Sequence, residues 1–346
     1  MKRFAVALLV LFTVSTLVTG TVVWRSLYTP VELDAAIVVD VLPGTGANKL
    51  VAQLADTGML RSPRIWAWYA RLSGKAGQLQ AGEYELPAGV TPLELMDLFV
   101  AGKVRLHAFT ILEGWTVWEV LTALRAHPAI EQTLEERLDP EQLSSILGLP
   151  YPHAEGLFYP DTYNFPKGAT DVSVLRQAAT LMELELNGAW ENRSDRVALL
   201  KSPYDLLILA SIVERETAVD DERAEIAGVF VRRLEKRMRL QTDPTVIYGI
   251  GPEFNGNITR RDLKTDTPYN TYTRSGLPPT PIGMPARQSL LAAGNPDIGT
   301  SLYFVAVGDG SGRHVFNDTL QGHNLAVAAY LRRLRSQREA AADGNN

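Results

Sequence analysis

The feature that most constrains this chain lies at its start. From Phe4 to Trp24 the residues are uncharged and mostly apolar, with Lys2 and Arg3 before the run and Arg25 after it. As a helix, about twenty such residues cross the hydrocarbon core of a bilayer. A cleaved export signal has a shorter apolar core and a small-x-small exit. Val18-Thr19-Gly20 makes a poor exit of that kind, so the run reads as a retained anchor. Lysine and arginine flanks stay on the cytoplasmic side, which puts everything after Arg25 outside the cytoplasm and Trp24 and Tyr28 near the outer interface. ATP-dependent chemistry is not expected there.

Behind the anchor, 346 residues leave room for about one to three domains with real cores. The net charge of −5 gives no support to a nucleic-acid partner. The absence of cysteine excludes disulfides, thiol nucleophiles, thiolate metal sites and a lipidated cysteine anchor.

One later stretch stands out as a place for chemistry. Ser202 caps a predicted helix, Pro203 suits its first position, and Asp205 offers a carboxylate to the free N–H groups. From Leu206 to Val213 the run is apolar except for Ser211, so this helix is buried on nearly all sides. Glu214 follows, stacked one turn beyond Ala210. At about 100° per residue, Glu216 points almost the opposite way. A carboxyl leaving beside an apolar wall has a raised pKa and suits a general acid. The same position also suits a helix-end carboxylate paired with an arginine.

Taken in order, Ile37–Val41 is strand-like, Pro43–Gly46 turns, and helices follow from about Lys49 to Gly58 and from Ser62-Pro63 through Leu72. Gly82–Pro87 returns as a strand, and Thr91-Pro92 caps a helix to about Val100. Strand–helix–helix–strand in this order resembles the LysM glycan-binding module; a plain packing or spacer domain has the same order. Val104–Leu112 is a further strand candidate, Thr116–Arg125 a helix, and 131–147 an acidic amphipathic helix. Glu155–Tyr163 alternates aromatics with carboxylates between glycine and prolines, a composition suited to stacking and bonding sugars or to packing on its own domain. Val172–Trp190 is helical, and a helix begins at Asp220 with Arg232, Arg233, Lys236 and Arg237 outward. Leu240–Gly249, Tyr269–Tyr272 and Gly276–Gly283 read as polar loops, the kind that carries specificity on a rigid scaffold. A helix through Leu291, a hairpin about Gly308–Gly312, and a helix to about Leu334 close the chain.

Metal chemistry has little support, because His107, His127, His153, His314 and His323 lie far apart and no His-Glu-x-x-His spacing exists. No Gly-x-Ser-x-Gly elbow or phosphate-cradling glycine loop is present. Carboxylate chemistry remains, and glycoside cleavage is its natural class, usually with two carboxylates.

Ala210–Thr217, Gln241–Thr245, Tyr269–Tyr272 and Gly276–Pro279 together resemble the MltG/YceG-like family, and Glu155–Tyr163 matches a further segment of it. With the anchor and the LysM-like module, the resemblance covers almost the whole chain. It implies an endolytic murein transglycosylase that cuts between N-acetylmuramic acid and N-acetylglucosamine, leaves 1,6-anhydro ends and terminates nascent strands. By the same resemblance Glu214 is the catalytic acid. Glu155, Asp161, Gln241, Asp243, Asn270 and Tyr272 are candidates for orienting sugar hydroxyls or the acid itself.

The expected fold class is α+β: a transmembrane helix, a small LysM-like α+β module and a larger mixed α+β catalytic domain. The expected boundaries are a cytoplasmic tip at 1–3, the anchor at 4–24, a linker at 25–35, the module at 36–103, the catalytic domain at 104–336 and a flexible tail at 337–346. The expected partners are peptidoglycan glycan strands, the membrane and peptidoglycan synthases, with no nucleic acid, cofactor or metal. Two other readings differ in outcome: a non-catalytic glycan-binding scaffold for synthesis enzymes, and a hydrolase using Glu214 with Glu155.

Overall fold

The computed structural model describes residues 2–32 and 35–343. It is mixed α and β, and it divides into two compact units: Met1–His107 with Asn164–Ala169, and Ala108–Tyr163 with Thr170–Asn346. Parts of the expected tip, linker and tail (Met1, residues 33–34 and 344–346) lie outside the described residues.

The first unit begins with α1 (Lys2–Tyr28), whose mean hydropathy of 2.3 over its most apolar stretch makes it long and apolar enough to cross a membrane. Its last turn behaves differently. Leu27 is buried in the unit's core and Ser26 bonds Ser62, so the helix runs past the expected linker start into the fold. Strand β1 (Ile37–Val41), α2 (Ala47–Asp56), α3 (Pro63–Leu72), β2 (Gly82–Leu86) and α4 (Pro92–Ala101) follow. β1 and β2 pair antiparallel from Ile37 opposite Leu86 to Val41 opposite Gly82. Leu50, Leu54, Trp66, Tyr84, Leu95 and Phe99 fill the core between this ribbon and the helices.

β3 (Leu106–Thr110) comes next, and α5 (Val117–Arg125) opens with a capping box between Thr116 and Glu119. The expected helix over 131–147 is shorter. Residues Ile130–Glu131 form β4, and α6 (Pro140–Leu147) starts only where Asp139 caps Pro140. β5 (Thr162–Pro166) pairs with β3, and β6 (Ala169–Thr170) pairs with β4. α7 (Asp171–Glu191), α9 (Arg223–Glu235) and α11 (Arg287–Gly294) pack around α8 (Pro203–Glu216), with α10 (Asp243–Ile250) between α9 and α11 in the chain.

Leu206–Val213 is buried throughout, as its all-round apolar sequence requires. Two local expectations change. The stretch 240–249 is largely helical as α10, with Pro244 in its first turn, where a missing N–H costs nothing. Arg233 is not on the outer face: it is 7% exposed and donates to the Leu302 and Leu240 carbonyls. β7 (Tyr303–Ala306) and β8 (His314–Asn317) form the expected antiparallel hairpin. α12 (Leu320–Asp343) continues beyond Leu334 through part of the expected tail.

Candidate active site

The end of α8 sets the site. Ser202 accepts from the Asp205 amide, as an N-cap should, and the helix delivers its last polar residues after the buried run ends. Ser211, the polar exception in that run, donates to the Ile208 carbonyl and accepts from the Ile282 amide. It thereby satisfies its own hydroxyl and ties the Pro281–Gly283 segment to the helix. That segment is packed against backbone: a Cβ on Gly283 would stand 2.7 Å from the Gly114 carbonyl oxygen, and the Gly114 and Met284 backbones exchange bonds with Met284 and Trp115. Gly156, at φ 77°, leaves room for Pro281 in the same way.

Glu214 sits on this packed side. One carboxylate oxygen accepts from the Ala286 amide at the start of α11, at 2.9 Å, and the other is 3.4 Å from Arg223. Both side chains are 5% exposed. Arg223 also donates to Ser289 at 3.1 Å and pairs with Asp220. The apolar surroundings expected for Glu214 are therefore replaced by an amide and a guanidinium. The helix-end ion pair that the sequence left open is the arrangement observed.

Glu216 faces another way and meets the polar loops. The Thr242 hydroxyl donates to it at 2.7 Å. Burial raises its pKa above the ordinary carboxyl value; the Thr242 bond, His314 and Arg233 act against that rise, and Asp243 adds to it. Beside it, Tyr272 donates its hydroxyl to Asp243 at 2.6 Å, and burial raises the Tyr272 pKa. The Gln241 amide donates to the Thr271 carbonyl, with Gln241 itself at φ 52°, and its side-chain oxygen lies 3.5 Å from Arg233. Thr242, Thr245 and Thr271 interlock beneath through shared hydroxyl bonds. Gln241, Asp243 and Tyr272 are thus brought together next to Glu216.

The remaining candidates are placed differently. Asn270 is 1% exposed and spends its side chain on its own loop, donating to the Asp262 and Thr265 carbonyls and accepting from the Tyr272 amide. It shapes the loop that carries Tyr272 and has no face for a sugar. Glu155 is fully buried. It accepts from the Val117 amide at 3.0 Å and from the Tyr248 hydroxyl at 3.0 Å, so it joins the start of α5 to α10. Burial pushes its carboxyl up to about 8 in spite of these bonds. Asp161 is exposed; its side chain accepts from the adjacent Thr162 amide and its carbonyl from Ile111. The aromatics near it are mostly spent on packing, since Phe158 and Tyr163 are buried.

A cleft of about 900 Å³ lies beside the helix end, walled by Trp115, Trp118, Tyr248, Phe254 and Tyr269. Arg215, between the two glutamates in sequence, lines it, and neither glutamate does. Arg223, Trp115, Trp118 and Tyr248 escaped the sequence reading. For Arg223 a signal existed in the acidic run Asp220–Glu222 ahead of a helix. The tryptophans carried none, because an amphipathic helix start uses aromatics equally for packing.

A family model described as the YceG-like family matches residues 39–329. A Bacillus subtilis (strain 168) protein named endolytic murein transglycosylase is 31% identical over 327 residues, covering 89% of each chain. A Streptococcus pneumoniae (serotype 2, strain D39) protein of the same name is 24% identical over 85% of this chain, which spans 58% of the pneumococcal protein. Among solved structures, a YceG-like protein from Listeria monocytogenes is similar with a TM-score of 0.54 and 28% identity, over 84% of this chain and 98% of that one. By the extent of these matches, the chain belongs to the YceG-like family.

Proposed function

We propose that this protein is a membrane-anchored endolytic murein transglycosylase with Glu216, rather than Glu214, as its general acid. The observation that carries the assignment is the contrast in surroundings. Glu216 is partly buried, is bonded by the Thr242 hydroxyl and stands beside the Asp243–Tyr272 pair, whereas Glu214 is held by Arg223 and the Ala286 amide. A general acid is favoured by a carboxyl that burial makes harder to ionise, and burial raises the Glu216 pKa. The names of the relatives support murein as the substrate.

In this mechanism Glu216 gives its proton to the glycosidic oxygen between N-acetylmuramic acid and N-acetylglucosamine. As that bond breaks, the muramic acid C6 hydroxyl closes on C1, and its proton passes to the Glu216 carboxylate. Protons balance within one residue, no water is consumed, and the product is a 1,6-anhydro end. Asp243, Tyr272 and Gln241 orient sugar hydroxyls around the acid, and Glu155 and Asn270 hold the loops in position. Helix α1 anchors the chain with its N-terminus in the cytoplasm, and the strand–helix–helix–strand unit after it holds glycan as a LysM-like module. Cutting close to the membrane terminates newly made strands.

The test is to incubate the full chain in detergent with purified murein and identify the product ends by mass spectrometry. Anhydro-muramyl ends are expected. Reducing ends with water added would make the protein a hydrolase, and binding without cleavage would make it a scaffold.

A further inference from the structure

The aromatic cleft beside α8 contains more fixed charge than a neutral sugar needs. Arg215 and Glu119 both line it, among Trp115, Trp118, Tyr248 and Phe254. Glu119 is exposed and completes the α5 capping box by accepting from Thr116. Arg215 donates one N–H to the Gly114 carbonyl at 2.8 Å and, among the described residues, has no carboxylate within salt-bridge distance. Fixed charges of both signs on apolar walls are favourable when a ligand brings the matching pair, because a guanidinium recognises a carboxylate with directed bonds. A bare glycan strand offers only the lactyl carboxylate of its muramic acids and no cation for Glu119. The peptide attached to the lactyl group of muramic acid carries carboxylates and, through its diamino acid, an ammonium.

Resting on the transglycosylase reading, we infer that this cleft binds the peptide stem of the muramyl residue next to the scissile bond. A stem carboxylate is held by Arg215, and the apolar peptide body lies against Trp115 and Trp118. The position fits. Arg215 sits between Glu214 and Glu216 in sequence, and α10 runs from Asp243, beside Glu216, to Ile247 and Tyr248 in the cleft wall. The enzyme therefore selects glycan that still carries its peptides.

A disaccharide of N-acetylglucosamine linked to a terminal N-acetylmuramic acid has no bond of the scissile type, so the active full-length protein can be titrated with it by calorimetry. The two probes are this disaccharide with its pentapeptide and the same disaccharide with its lactyl carboxyl capped as a primary amide in place of the peptide. The expected result is at least tenfold tighter binding of the peptide-bearing probe, with most of that difference lost in Arg215→Gln. Because Arg215 also holds the Gly114 carbonyl, Trp118→Ala provides a second variant, expected to weaken the peptide-bearing probe and leave the bare one unchanged. Equal affinities in the wild type, or a difference that survives both substitutions, would overturn the inference. Failure of the transglycosylase reading appears separately, as absence of anhydro ends from murein in the same preparation.

Discussion

Two glutamates on consecutive exits from one helix have opposite fates. Glu214 turns toward α9 and α11, where distant segments close on it: the Ala286 amide comes from 72 residues further along the chain, and Arg223 is shared with Ser289. Glu216 turns toward the loop before α10, where Thr242, 26 residues on, gives it one hydroxyl bond beside an Asp–Tyr pair. In Glu214 both carboxylate oxygens are engaged, one by a backbone amide and one by a guanidinium. Glu216 is partly buried with a single neutral donor, and burial raises its pKa. The helix supplies both residues, and the neighbours give them different surroundings.

That division can be broken from either side. The largest effect is expected from Arg223→Met, which leaves Glu214 buried without its cation. Loss of one partner of a buried pair costs about 3–5 kcal/mol, so chemical denaturation should show a stability drop of that order. A drop below about 1 kcal/mol would mean that the pair is not the support described. Next comes Gly283→Ala, whose new methyl meets the Gly114 carbonyl at 2.7 Å. Overpacking of this kind costs about 1–3 kcal/mol, read as a lower melting temperature. The Glu216 side should keep its activity at a temperature where the variant is folded.

The third effect concerns Glu155 and is spread over a range of pH. Burial raises its folded-state pKa from the ordinary carboxyl value of 4.5 to about 8, so the native state binds the extra proton in between. The stability it contributes is fully present below about pH 4.5 and is lost as pH rises through about 8. The slope approaches roughly 1.4 kcal/mol per pH unit. Glu155→Gln, which keeps a side-chain oxygen for the Val117 amide, should flatten that part of the stability profile. A variant with the wild-type slope would place the titration elsewhere.

Much of the fold was legible because it is local. Ser202-Pro203 marked the start of α8, Thr116 and Thr91 the starts of α5 and α4, and the glycine run the β7–β8 turn. The 3.6-residue period also gave the right angle between Glu214 and Glu216. What the period leaves open is which direction faces the site, since that depends on partners from far along the chain. Arg233 shows the same limit: it sits among basic residues and reads as a solvated face, yet the Leu240 and Leu302 carbonyls draw it inward. α10 was hidden by Asp-Pro and a glycine, which punctuate loops and helix starts alike. Asn270 belonged to a polar loop motif, and only its three loop bonds reveal that the side chain is already committed.

The most direct measurement compares Glu216→Gln with Glu214→Gln in the full chain, following anhydro-muramyl ends released from murein together with thermal melting. Loss of a general acid removes about 10²–10⁴-fold of rate. The account predicts that loss for Glu216→Gln with an unchanged melting curve, and a lowered melting temperature with cleavage retained for Glu214→Gln. The reverse pattern, in which Glu216→Gln cleaves normally and a well-folded Glu214→Gln does not, would contradict it.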